Sequence, residues 1–392
     1  MKHLQSNEVQ GLRRILRDQY SFHTIVKELI QNADDSQAGK FHIGWTDNWP
    51  QDIHPLLTGP TILVLNDGIF RDADAEAIWR VNEGAKGEDL GAIGKYGLGM
   101  KSVFHLCEGF FYLASPDQPA ADGRDFAELL TPWPRGGPHD DWSDLEAASR
   151  VLRERITSWS HGCTRWFCIA IPLRTPKHLN GAEAIIQGQF PTKEEFLQSQ
   201  DMREFASWMP MLRNLRAITT WTWDLKTVDF AEQVKLTSDP DVCAPCMFPH
   251  LEPGRPNALR ARVLANTNAS AALLHAAGRE LLLDDEVFSR LHCDERWPKN
   301  FTWNPKTGRS EDRVEKAEPH CAAVVTSTPT EVGTLSVHEA VFLPLSKGRF
   351  DDTSCGGRLH FRLILHGQFF LDAGRRELYE TDALLSRSET ST

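Results

Sequence analysis

The chain reads as an α/β protein of two domains, the first an α/β sandwich of a mixed sheet under helices. Three stretches predict this. Over 7–33, Leu12, Ile15 and Leu16 and then Ile25, Val26, Leu29 and Ile30 recur at helical spacing. Thr61–Leu65, TILVL, is an unbroken β-rich run of the kind that forms a buried central strand. Gly91–Leu106, GAIGKYGLGMKSVFHL, is a glycine-rich loop that runs straight into an apolar helical pattern. At 392 residues the chain has room for two cores.

Composition narrows the class. Acidic residues outnumber basic ones, 54 to 43, for a net charge of −11, so no whole-surface basic footprint for nucleic acid is present. No apolar run reaches the roughly 18 residues that span a bilayer. The first residues, MKHLQSNEVQGLRRIL, lack the apolar core of a secretory signal, and a cytoplasmic location is expected. The eight cysteines form no dense framework, which suits a reducing compartment. Cys243 and Cys246 have a metal-like spacing, with His292-Cys293 and His320-Cys321 as partners for zinc, but the second half lacks a matching C-x-x-C or H-x-x-x-H and ordinary turn cysteines are the simpler reading.

In chain order, the second helix of the 7–33 pattern carries KELIQNADD. Glu28, Asn32 and Asp35 fall at i, i+4 and i+7 and so share one face, with Ile25, Leu29 and Ala33 beside them toward the core. Such a stripe is either a solvated surface or a carboxylate and carboxamide set one turn apart, able to activate water and hold a hard cation. Gly39 is a natural helix stop. Phe41–Trp45 and Thr61–Leu65 read as strands, the latter ending in Asn66-Asp67-Gly68, either a simple tight turn or a carboxylate placed to accept a hydrogen bond from an exocyclic amine. Asp74–Val81 has a short helical pattern, and a polar segment containing Lys86 leads to the glycine loop. There, Gly94, Gly97 and Gly99 permit close backbone approach to a ligand, and Lys101 and Ser102 open a helix whose free N–H groups favour an anion. Phe110–Ala114 returns to strand. Residues 115–160 are rich in Pro, Gly and Asp and read as an insertion with a helix near Asp144–Thr157, a pocket cap, a partner site or a solvated loop.

Together, ELIQNADD, LVLNDG and GAIGKYGLGMKSVFHL resemble the Bergerat ATP-binding fold shared by gyrase, heat shock protein 90, histidine kinases and MutL. KELIQNADD and IGKYGLGMKSVFHL most resemble the sacsin branch of the heat shock protein 90-like group, and HGCTRWFCIAIPLR resembles a later strand of that fold. The resemblance implies a mixed sheet with helices on one face. It implies that Glu28 polarises the attacking water, that Asn32 binds Mg²⁺ with Asp35 nearby, and that Asp67 contacts adenine with support from Thr164. Gly94, Gly97 and Gly99 become a lid hinge and phosphate cradle, with Leu98, Met100 and Lys101 at the phosphates and Lys86 in the lid. The sequence departs from the group's Asp-x-Gly-x-Gly pattern: aligned on Gly68, Asn66 occupies the adenine-reading place, although the reading here favours Asp67, and Phe70 replaces the final glycine. Cys163 separates Gly162 from Thr164.

The expected boundaries are 1–175 for the ATP-binding domain and 176–392 for a transducer-like α+β domain. In the latter, Thr192–Leu215 reads as a helix and Ala217–Trp223 as a strand, while AALLHAAGRELLLDDEVFSRL suggests another helix. Trp208, Trp221, Trp223, Trp297 and Trp303 are expected in cores. AVFLPLS and HFRLILHGQFFLDAGRREL again resemble the sacsin group. By analogy with related ATPases, Arg375 or Arg376 would reach the γ-phosphate; otherwise they pair with Glu377 or Glu380. The polar end LSRSETST fits either a short natural chain or one cut before effector domains.

The expected activity is Mg²⁺-dependent ATP binding and slow hydrolysis to ADP and phosphate, with ATP closing the lid and favouring a homodimer or larger assembly. Two alternatives stand beside it: an ATP-gated interaction module with little hydrolysis, and the ATPase of a nucleic-acid machine of the MutL, MORC or gyrase type, as in anti-phage defence or DNA repair. The acidic balance does not favour the last. A membrane partner is not expected.

Overall fold

The computed structural model describes residues 2–3, 13, 16, 22–79, 99–133, 140–160, 164–179, 184–186, 190, 192–199, 205, 208, 212 and 214–237, and beyond these the strands named below with 332–333 and 357. Contacts divide the chain into two compact units, the first holding most residues up to Thr237 and the second most of those from Ser238 onward. Among the described residues, no helix is long and apolar enough to cross a membrane.

The first unit is built on an eight-stranded mixed sheet. Its order is β1 (Lys2–His3), β5 (Ala127–Thr131), β4 (Phe110–Ala114), β6 (Phe167–Pro172), β3 (Thr61–Asn66), β2 (Lys40–Asn48), β7 (Ala217–Asp224) and β8 (Asp229–Thr237). The β1–β5 and β2–β7 pairs are parallel and the others antiparallel. TILVLN is central and buried along its whole length, as an unbroken apolar run requires when both faces are covered. Among the described residues the sheet is accompanied by α1 (Phe22–Asp35), α2 (Asp72–Trp79), α3 (Glu146–Trp159), α4 (Pro176–Leu179) and α5 (Lys193–Ser199).

Two expectations are corrected here. The sheet does not end near residue 175, because β7 pairs in parallel with β2 from Lys40↔Ala217 to Asn48↔Asp224 and brings β8 with it. Nor does 115–160 stand apart from the core. Leu63 and Leu65 of β3 share a buried cluster with Leu152, Ile156 and Trp159 of α3 and with Trp221 and Trp223 of β7. Trp159 meets those two indoles edge to face, with centroids 5.0 and 5.3 Å away. Each fully buried large apolar side chain contributes roughly 1.5–3 kcal/mol. The helix inside the expected insertion is therefore structural cover. By strand alternation, Ile62, Val64 and Asn66 face the other way.

The second unit holds a seven-stranded mixed sheet in the order β10 (Asn266–Ala269), β11 (Ala272–Ala277), β15 (Cys321–Pro329), β19 (Leu359–Gly367), β16 (Thr334–Val341) and β17 (Leu343–Pro344), with β18 (Phe350–Ser354) also on β16. Only the β16–β19 pairing is parallel among those with a stated register. Two antiparallel pairs join it: β9 (Asn257–Ala261) with β12 (Arg279–Leu283), and β13 (Asn300–Asn304) with β14 (Arg309–Arg313). The helix expected from AALLHAAGRELLL is instead two strands, β11 and β12. Alanine and leucine favour a helix locally, but β11 pairs with β15 and β12 with β9, and such partners override weak propensity.

Candidate functional site

The site is organised along α1. Ile25, Val26, Leu29, Ile30 and Ala33 are buried, fixing the helix's rotation so that Glu28, Asn32 and Asp35 form one stripe. Glu28 is only 6% exposed, whereas Asn32 and Asp35 are half-buried. The helix ends two residues before a left-handed Gln37 (φ 62°), with Ala38 N–H donating to Ala33 O, so Gln37 rather than Gly39 makes the reversal.

The last glycine of the glycine-rich segment lies against this stripe. A β-carbon built on Gly99 would stand 2.5 Å from Glu28 Oε2 and 3.5 Å from Asn32 Nδ2. Backbone thus occupies space that any side chain would contest, the close approach for which glycine is suited. Gly99 itself is in ordinary right-handed geometry and leads into a 3₁₀ helix, Met100–His105, in place of the expected α-helix. Ser102 closes its first turn, donating from N (3.2 Å) and Oγ (2.5 Å) to Gly99 O.

Lys101 departs from its expected phosphate contact. Its side chain is fully buried and its ammonium donates to Ala77 O at 3.0 Å, in the last turn of α2, where helix carbonyls and the negative dipole end attract a cation. This ties the 3₁₀ helix to α2.

At the other end of α1, Asn66-Asp67-Gly68 forms a turn against Ser36. Asn66 is buried and its Oδ1 accepts Gly68 N–H at 2.9 Å. A β-carbon on Gly68 would collide with Ser36 Oγ and lie 2.8 Å from Asn66 Oδ1, and Ile69 N–H donates to Ser36 O at 2.8 Å. Asp67 has different partners: its Oδ1 accepts Gly39 N–H at 2.7 Å and Lys40 N–H at 2.9 Å, bracing the α1–β2 link. Phe70, where the resembling group has glycine, stacks on Phe167 at 4.3 Å and donates its N–H to Gln118 Oε1. Thr164 is exposed; its neighbour Arg165 contacts the turn, Nε donating to Asp67 O at 3.1 Å.

Glu28 and Ser36 are eight residues apart, or about 12 Å along a helix. The stripe has the reach of an extended nucleoside triphosphate. Its donors suit Mg²⁺, which keeps several waters and binds through one or two protein oxygens plus substrate phosphates. Asn32, whose Nδ2 would lie 3.5 Å from a β-carbon on Gly99, carries one amide oxygen of that kind. Among the described residues no group of three His, Cys, Asp or Glu gathers as a metal site. Lys86, Gly94, Gly97, Leu98, Arg375, Arg376, Cys243 and Cys246 lie outside the described residues.

Sequence reasoning missed three supports. Arg174 and Glu108 form a fully buried ion pair, and the guanidinium also donates to the carbonyls of Phe104, His105 and Cys107 at the far end of the 3₁₀ helix. Glu108 accepts from Trp133 Nε1 and Ile185 N as well. Asp34, fully buried, accepts from Asn214 N and Leu215 N and ties α1 to the start of β7. Only an arginine ending an apolar strand, and a second aspartate beside Asp35, signalled them.

Residues 5–115 match the family model described as Sacsin domain. Sacsin from Homo sapiens is 31% identical to the chain over 107 residues, 26% of this chain and 2% of that protein, so the chain spans a small fraction of this relative's length. The segment matched by the family model holds Glu28, Asn32, Asn66, Gly68 and Gly99. The first part of the chain is sacsin-like, and α1, β3 and the 3₁₀ helix lie within the matched span.

Proposed function

We propose that the first unit is a Mg²⁺-dependent ATP-binding module that hydrolyses ATP slowly and uses the bound nucleotide as a conformational switch. The observation that carries this reading is the approach of Gly99 to both Glu28 and Asn32, which leaves backbone, a carboxylate and a carboxamide around one point. Asn32 would hold Mg²⁺ through its amide oxygen, and the cation, when bound, would neutralise charge on the phosphates. Glu28 would orient water and accept its proton during attack on the γ-phosphate, a reaction that depends mostly on positioning and electrostatics. Asn66 and Gly68, some 12 Å along α1, would receive the base. Lys101 and Arg174 fix the two ends of the 3₁₀ helix and so hold Gly99 in place. Calorimetric titration of the chain with ATP, with and without Mg²⁺, tests the reading. Binding strengthened by Mg²⁺ in the native chain but not in Asn32→Ala is expected. Binding that ignores both Mg²⁺ and the substitution would contradict it.

A further inference from the structure

The described residues ahead of α1 all meet one place in the first unit. Lys2 and His3 pair with Leu130 and Thr131 at the end of β5. The Arg13 guanidinium lies 5.9 Å from the centre of the Trp133 ring, within reach of a cation–π attraction. Leu16 is fully buried, and its carbonyl accepts from the His105 ring. The partners of these residues converge on Glu108. Trp133 Nε1 donates to Glu108 Oε2 at 3.0 Å. Thr131 Oγ1 accepts Trp133 N–H at 3.3 Å and donates to the Glu108 carbonyl at 3.2 Å. Glu108 in turn holds Arg174, which closes the last turn of the 3₁₀ helix. The guanidinium donates to the carbonyls of Phe104, His105 and Cys107 at 2.8, 3.0 and 3.2 Å, and Arg174 N–H donates to Leu106 O at 2.8 Å. So short a helix has few bonds of its own, and its end depends on donors from outside. At its other end, about 12 Å away, Gly99 stands beside Glu28 and Asn32.

We propose that Arg13 and Leu16 form a strap that regulates the candidate site through Trp133, His105 and the buried Glu108–Arg174 pair. With the strap docked, Trp133 and Glu108 hold the guanidinium on the three carbonyls, and the 3₁₀ helix keeps Gly99 against Glu28. With the strap released, His105 loses the Leu16 carbonyl and the Trp133 ring loses its cation. The last helical turn then opens more readily, and Gly99 is placed less firmly. Segments near a chain end open at low free energy while a central strand opens only with the whole fold, so the two states are accessible without unfolding the sheet. The link from strap to helix is mechanical and needs no ligand. Its effect on turnover rests on the nucleotide-binding reading of the same site.

Hydrogen exchange of the full chain without nucleotide, resolved by peptide mass spectrometry, tests the link in Arg13→Ala and Arg13→Lys. The probes are the amides of Ser102 and Leu106, which donate within the 3₁₀ helix, with those of β3 as an internal standard. Loss of one cation–π contact corresponds to a rate change of about two- to fivefold. Arg13→Ala is expected to speed exchange over 100–107 by that factor and leave β3 unchanged, while Arg13→Lys, which keeps a cation over the ring, stays nearer the native rate. Unchanged exchange over 100–107 in Arg13→Ala overturns the inference. A rise shared equally by β3 also overturns it, since the loss is then one of global stability. Single-turnover phosphate release from ATP and Mg²⁺ is expected to fall about two- to fivefold in Arg13→Ala with ATP affinity held within twofold, and unchanged release overturns the regulatory role. If the native chain binds no ATP, the nucleotide-binding reading fails, while the exchange result still decides whether the strap holds the helix.

Discussion

Replacing Gly99 with alanine isolates the contact on which the proposed chemistry depends. The added β-carbon would stand 2.5 Å from Glu28 Oε2, and an ordinary contact needs about 3.5 Å, so the carboxylate must retreat by about 1 Å. The far end of a glutamate can move that distance by rotation, so the fold is spared. Gly99 has φ −54° and ψ −49°, which alanine adopts freely, and the loss of glycine's unfolded-state freedom contributes about 0.4–1 kcal/mol in favour of the variant. A 1 Å displacement of a reacting group costs on the order of 100-fold in rate. Gly99→Ala is therefore expected to keep its melting temperature and ATP affinity while single-turnover phosphate release falls about 100-fold. Turnover within threefold of the native chain, in a folded variant that binds ATP, would refute the reasoning, because Glu28 would then not act from beside Gly99.

Other outcomes follow from the supports around the site. Arg174→Met leaves Glu108 buried without its cation and should cost about 3–5 kcal/mol by urea unfolding, while adding Glu108→Leu should recover part of it. Asp67→Ala removes an acceptor from Gly39 and Lys40 N–H and should cost about 1–3 kcal/mol of stability, with a smaller loss of ATP affinity than Asn66→Ala. His54 accepts Leu56 N–H at Nδ1 and faces Trp142 O through Nε2, so its fold requires the neutral ring. Burial holds its pKa below the ordinary 6.5, against the opposing pull of the Trp142 carbonyl, Asp141 and Asp144. The unfolded chain therefore takes up this proton first as pH falls. Stability is full above about pH 6.5 and declines below it, by at most about 1.4 kcal/mol per pH unit for this group. Urea unfolding of His54→Asn at pH 7.5, 6.0 and 5.0 should show a shallower decline, the remainder including His105, whose pKa burial and Arg174 also lower.

What the sequence disclosed was local. The period of Ile25, Leu29 and Ala33 set the rotation of α1 and hence the stripe of Glu28, Asn32 and Asp35, and the unbroken TILVL marked a strand covered on both faces. What it hid depends on partners far along the chain. Nothing in AITTWTWD announces that it pairs with a strand nearly 180 residues earlier, or that Trp221 and Trp223 await Trp159. Asp67 and Lys101 bear the residue types of ligand contacts, yet Gly39, Lys40 and Ala77 receive them instead. The Asn66-Asp67 order was visible as a departure from a motif, but the partners that separate the two, Gly68 for Asn66 and Gly39 with Lys40 for Asp67, appear only in the fold. The strands of 272–283 were hidden for the same reason, since alanine and leucine reveal their helical preference locally and their strand partners only in the fold.

The central claim is that Glu28 activates water for attack on a nucleotide held along α1. Single-turnover phosphate release from ATP and Mg²⁺, measured alongside ATP affinity in the native chain and in Glu28→Ala, tests it most directly. The account predicts slow release by the native chain, and release lost at least 100-fold in the variant with ATP affinity held within a few-fold. Equal release from both proteins at equal affinity would contradict it.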